Sequence, residues 1–105
     1  MKIIPARGHV YRMDDPSYGT LFCLSVSVPR LELDDTCTAV RVSVTSERRD
    51  FPGWVRLGSG DPGFGYVVTQ DIDRVDYEEL AEDLGELSME TMLKVERALK
   101  TVLGL

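Results

Sequence analysis

The sequence predicts a mainly β (β+α) domain, a small β-barrel of five to seven strands with a C-terminal amphipathic helix. Short β-prone runs with alternating apolar and polar positions recur through most of the chain, each closed by a cluster of Gly, Pro, Asp or Ser. Only the last segment, from Ser88 onward, carries apolar residues at three- and four-residue spacing behind a capping serine. The 105 residues make one domain, 1–105, large enough for a single small core.

The elements follow in order. Arg7 to Met13 alternates, Val10 against Tyr11 and Arg12, as a strand with one buried face does. Asp14 to Gly19 is dense in turn formers. Leu21 to Val28 reads as a buried strand stopped by Pro29, which cannot donate to a sheet ladder. Arg30 to Asp35 is a charged loop, and Thr36 to Val44 is a strand with Thr38, Val40, Val42 and Val44 on one face. After the polar loop Glu47 to Asp50, Trp54 to Leu57 and Tyr66 to Thr69 are short strands around the breaker Gly58 to Gly63. Tyr77, Leu80 and Leu84 have helical spacing, so local rules favour a helix over 81–87 broken at Gly85. In the final helix Ser88 is the N-cap, Glu90 adds favourable charge to the first turn, and Met92, Val95, Leu99 and Val102 form the apolar stripe that Gly104 ends.

Composition excludes several classes. An apolar fraction of 43% and a charged fraction of 29% are ordinary for a globular protein. No apolar run approaches the roughly 20 residues of a membrane span, and Met1 to Pro5 gives way at once to Arg7, His9 and Arg12, unlike a signal peptide. A cytoplasmic protein is expected. Cys23 and Cys37 lie in apolar or β-prone runs without CxxC spacing, so they read as core residues rather than a disulfide or metal pair. With His9 the one histidine, no metal site and no cofactor is expected. A net charge of −6 counts against a uniformly basic nucleic-acid face, but the charge is uneven. Arg41, Arg48, Arg49 and Arg56 gather in the middle, while acids concentrate from Asp71 to Glu90.

A series of signatures resembles the MazF/PemK family of toxin endoribonucleases. Arg7-Gly8-His9-Val10-Tyr11 looks like the family's Arg-Gly-Asp-Val/Ile-Tyr/Trp opening, and Val44-Thr45-Ser46 is similar to its strand-end Pro-Leu-Thr-Ser. Phe51-Pro52 through Val55 resembles Tyr/Phe-Pro-x-x-Val. The tail, Leu84-Gly85-Glu86-Leu87-Ser88 through Val95, Ala98-Leu99 and Leu103-Gly104-Leu105, resembles Ile/Leu-Gly-x-Leu-Ser…Val…Ala-Leu…Leu-Gly-Leu. The resemblance covers residues 7–105 and implies an SH3-like barrel, with an edge strand rather than a helix leading to Ser88.

It also implies a function: the toxin of a type II toxin–antitoxin system, homodimeric, cleaving single-stranded RNA (mRNA or tRNA) without a metal. Its implied partner is a cognate antitoxin with a short acidic or amphipathic tail. In the family the ribose 2′-hydroxyl attacks the adjacent phosphate, and a Thr-Ser pair with an Arg before the second strand serves the charge that develops. The pair maps onto Thr45 and Ser46. Where the Arg-Pro of the family stands, this chain reads Tyr18-Gly19-Thr20-Leu21, and neither a hydroxyl nor a phenol replaces a guanidinium's fixed charge and forked donors. Arg48 is therefore the expected catalytic cation, with Arg41, Arg49, Arg7 and Arg12 as further options; Tyr18, Thr20, Arg41 and Arg49 form the expected RNA-contacting set. Tyr18 on its turn suits base stacking better than Trp54 or Tyr66, whose positions on strands also suit packing. The family's Gln-Ile-Arg-Thr-Val-Asp appears as Asp71 to Asp76, adding carboxylates that repel phosphate if this strand borders the RNA. The alternative is a weak or inactive relative that binds an antitoxin or another protein.

Overall fold

The computed structural model describes residues 2–45 and 51–105, and within them six strands precede one helix. Strands β1 (His9–Asp15) and β2 (Gly19–Ser25) form an antiparallel hairpin in which Asp15 faces Gly19. The Asp15 carboxylate accepts from the amides of Ser17 (2.7 Å) and Tyr18 (2.9 Å), which is how a short acidic side chain sets a turn. Gly19 closes it at φ +79°, a conformation that suits a residue without Cβ. The strand expected over 21–28 ends at Ser25, and Val26 adds one bond to Thr38 O (2.9 Å) before a 3₁₀ turn at Pro29–Leu31.

Strand β3 (Thr36–Ser43) pairs with β2 on one side and with β5 (Tyr66–Asp76) on the other. Being central, it is buried on both faces. Val40 and Val42 join Val10, Leu24, Val67 and the helix residues Met92, Val95 and Ala98 in the main core. Cys37 and Ala39 join Tyr11, Cys23, Val75, Tyr77 and Leu80 in a second, smaller one. Both cysteines are free and buried as expected; burial pushes the Cys23 thiol up to about 12 and raises Cys37 as well.

Strand β5 is longer than the Tyr66 to Thr69 run. Its second half pairs with β3 while the side chains from Gln70 to Arg74 stay exposed, so no apolar pattern marks it. Its ladder also breaks register. Val40 faces Ile72 but Arg41 faces Val68, leaving Thr69, Gln70 and Asp71 as a bulge. Strand β4 (Trp54–Arg56) pairs with the first half of β5, and β6 (Leu80–Glu86) pairs with β1 through two register shifts. The edge-strand reading of 81–87 thus holds against the helical one. The sheet order is β4-β5-β3-β2-β1-β6, and its two edge strands are not paired with each other, so the sheet stays open.

Helix α1 (Met89–Leu103) lies against β4 and β5. Ser88 Oγ accepts from Thr91 N (3.2 Å), and Gly104 ends the helix at φ +72° with Leu105 N donating to Lys100 O (2.9 Å). A second tie comes from the loop after β4. The buried Asp61 carboxylate accepts from Ser88 N (2.7 Å), Gly58 N (2.7 Å) and Thr91 Oγ1 (2.5 Å), pinning that loop to the first turn of the helix. Burial alone raises the Asp61 carboxyl, but these bonds outweigh it and hold the group below its ordinary value.

Candidate functional site

Thr45 lies two residues past the end of β3, and the local backbone explains how it is held. Ser43 Oγ accepts from Thr45 N (3.2 Å) and shares a hydrogen bond with Thr45 Oγ1 (3.0 Å). Ser43 itself is braced from behind by Gly65, where an added Cβ would sit 2.1 Å from Ser43 O and 3.0 Å from Val44 Cα. Gly65 also has φ +108°, outside the range of ordinary L-residues. The exit of β3 is therefore shaped by a backbone contact that only glycine permits.

A groove of about 210 Å³ opens at this exit, lined by Thr20 and Phe22 from β2 and by Arg41, Ser43 and Thr45 from β3 and its end. Arg41 is half-exposed, and its Nε pairs with Asp71 Oδ2 at 3.0 Å. The β5 bulge is what delivers Asp71 to that position. Arg41 also borders a second cavity of about 190 Å³, whose floor includes Cys23, Ala39, Val40 and Val75 and whose rim carries Asp71 and Asp73. The two depressions share Leu21, Phe22 and Arg41 and so run into one another.

The expected site residues divide clearly. Thr20, Arg41 and Thr45 come together. Tyr18 is 80% exposed at the hairpin tip, two residues before Thr20, and does not line the groove. Ser46, Arg48 and Arg49 lie outside the described residues. The other cationic options are committed elsewhere: Arg7 donates to Val26 O (3.2 Å) and faces Glu96 (3.7 Å), while Arg12 pairs with Glu82 (2.8 Å) and Asp14 (3.3 Å). His9 bonds Asp83 through Nδ1 (3.1 Å) and stacks on Tyr11. Trp54 packs on Tyr66 with ring centroids 5.9 Å apart, as its strand position allowed.

Sequence reasoning missed Ser43 and Gly65 as parts of this site, and it placed Asp71 beside the RNA path without its pairing to Arg41. Gly65 stands in sequence as one more glycine ahead of the Tyr66 to Thr69 strand, and nothing local marks Asp71 as a partner of Arg41. The acidic side is pronounced: burial, then Asp76, Asp73 and Asp15, raises the Glu79 carboxyl. Among the described residues no group of three or more His, Cys, Asp or Glu is placed to hold a metal ion, and no helix is long and apolar enough to cross a membrane.

The model of the family described as "PemK-like, MazF-like toxin of type II toxin-antitoxin system" matches residues 6–103. Endoribonuclease MazF4 of Mycobacterium tuberculosis and endoribonuclease MazF1 of Mycobacterium bovis are each 42% identical over 101 residues, covering 96% of this chain and 94% of theirs. A solved mycobacterial endoribonuclease in complex with its cognate antitoxin superposes with a TM-score of 0.86 at 42% identity, covering 96% of both chains. A MazE-MazF structure from Deinococcus radiodurans, at 23% identity and a TM-score of 0.81 over 98% of both chains, shares the fold.

Proposed function

The chain belongs to the PemK-like, MazF-like toxin family of type II toxin–antitoxin systems, and on that premise we propose that it is an endoribonuclease toxin whose reaction centre is the groove at the exit of β3. The observation that carries this reading is the convergence of Thr20, Arg41 and Thr45 on one groove from two neighbouring strands and the end of one of them. Relatives at 42% identity over nearly the whole chain are named endoribonucleases, which favours this reading over an inactive binding protein.

The reaction is a transesterification within the RNA strand. The ribose 2′-oxygen attacks the adjacent phosphorus, the bond to the 5′-oxygen breaks, and the products are a cyclic phosphate and a 5′-hydroxyl. The 2′ proton must leave and the 5′-oxygen must gain one, while negative charge builds on the phosphoryl oxygens. Thr45 Oγ1 donates to a phosphoryl oxygen, with Ser43 fixing its rotamer. The Arg41 guanidinium, held through Nε by Asp71, keeps both terminal nitrogens for phosphate. Ser46 and Arg48 complete the catalytic set, Ser46 as a second hydroxyl donor and Arg48 as a fixed positive charge for the developing phosphoryl oxygens, while solvent water takes the 2′ proton and supplies one to the 5′-oxygen. Thr20, Tyr18 and Arg49 hold the strand. Its partners are single-stranded RNA, a cognate antitoxin and a second copy of the chain, and it acts in the cytoplasm.

The test is incubation of purified protein with mixed mRNA and tRNA in EDTA, with product ends typed chemically. Cleavage leaving 5′-hydroxyl ends, lost in Thr45→Ala, is expected. Intact RNA at micromolar protein sinks the proposal.

A further inference from the structure

The second cavity has no task in the phosphate chemistry, yet it opens into the groove that does. Its volume, about 190 Å³, is below that of pockets for drug-sized ligands and suits one flat ring. The floor is apolar and buried, from Cys23, Ala39, Val40 and Val75, and Met13 closes one side. A purely apolar slot would take any ring. This one has carboxylates at its mouth.

Asp71 is occupied by Arg41 through Oδ2 (3.0 Å). Asp73 accepts from Arg74 N through Oδ1 (2.8 Å), and Oδ2 has no hydrogen-bond partner among the described residues. An ionised carboxylate only accepts hydrogen bonds. A base that enters here must therefore offer N–H groups, as the exocyclic amine of cytosine does. Uracil places a carbonyl oxygen at that position, and its one Watson–Crick-edge donor, the ring N3–H, is flanked by two carbonyl oxygens that set acceptor against acceptor. Arg41 stands at the junction, so a phosphate on its guanidinium leaves the neighbouring base facing the slot.

Resting on the endoribonuclease reading above, we propose that the cavity rimmed by Asp71 and Asp73 is a base-recognition subsite that selects an amino-bearing nucleobase over uracil beside the bound phosphate, with Asp73 the acceptor. The charge that weakens the grip on phosphate here becomes the means of choosing sequence.

The experiment is a titration that needs no cleavage. Cytidine and uridine 5′-monophosphates are added separately to methyl- and amide-labelled protein, and the Met13 methyl and Ala39 amide signals are followed by NMR. Cytidine monophosphate is expected to shift both and to bind about tenfold tighter than uridine monophosphate. In Asp73→Asn the ratio falls to about one, because an amide can also donate to the uracil carbonyl. Equal binding by the wild-type protein, shifts that avoid these signals, or an unchanged ratio in Asp73→Asn overturns the proposal. Discrimination by a protein that leaves all RNA intact would uphold the subsite and reject the endoribonuclease reading, so the two fail separately.

Discussion

Gly65→Ala tests whether the groove depends on the backbone contact behind Ser43. The new Cβ would lie 2.1 Å from Ser43 O, more than an ångström inside normal contact, and the obstacle is main chain rather than a side chain that can swing away. The residue must also hold φ +108°. Strain at such a φ costs about 1–3 kcal/mol, and relieving the overlap by moving β3 or β5 adds about as much again. A loss of about 3 kcal/mol or more lowers Tm by more than about 12 °C in a domain of this size. Ser43 and Thr45 shift with the strand, and a displacement of about 1 Å costs roughly 100-fold in turnover. The assay pairs thermal melts with RNA cleavage at 15 °C, where circular dichroism confirms that the variant is folded. Gly104→Ala is the control. Its φ is also positive, at +72° in the left-handed helical region, but nothing lies within 4 Å of the added carbon, so it should lose about 1 kcal/mol and keep full activity. Gly65→Ala with a Tm within 3 °C of wild type and turnover within threefold would refute the brace.

Two further predictions concern charge. Asp61→Asn replaces an acceptor of three hydrogen bonds by a group that must point an N–H at a donor, and should cost about 2–3 kcal/mol at pH 7. Because the folded Asp61 carboxyl lies below its ordinary value, its contribution is complete above the unfolded pKa and fades as pH falls through the folded one, so melts of the two proteins should converge below about pH 4. Asp71→Asn frees Arg41 from a half-exposed pair worth about 0.2–1 kcal/mol and removes a carboxylate from the phosphate path. RNA binding by fluorescence anisotropy should tighten roughly two- to fivefold at low salt, with the gain vanishing near 0.5 M.

What was legible in the sequence follows from where each signal is local. Ser88 and Gly104 announce both ends of the helix because capping is settled within four residues. Val40 and Val42 announce β3 by alternation. The second half of β5 is silent, since its backbone pairs while Gln70 to Arg74 face solvent, and only tertiary pairing holds it extended. Thr45 was readable as a strand-end hydroxyl in a familiar register. Its neighbours were not. Ser43 acts through a side chain that looks like one more alternating polar residue, and Asp71 reaches Arg41 only because a three-residue bulge, invisible to pattern, turns it there. Asp61, likewise, is a loop acid in sequence and a helix tether in space.

The open ends of the sheet bear on how anything can join it. Strand β4 offers only three residues, too few for a stable added ladder. Strand β6 is longer, but its register shifts against β1 interrupt the line, and it carries Glu82, Asp83 and Glu86. Bulges and charges of this kind keep a free edge from recruiting extended chains. An acidic antitoxin tail laid along β6 would set carboxylate beside carboxylate, and two copies paired edge to edge would do the same. Both free edges are thereby poor templates for strand addition, and anything that meets the sheet on its faces instead is read by side chains rather than by the main chain.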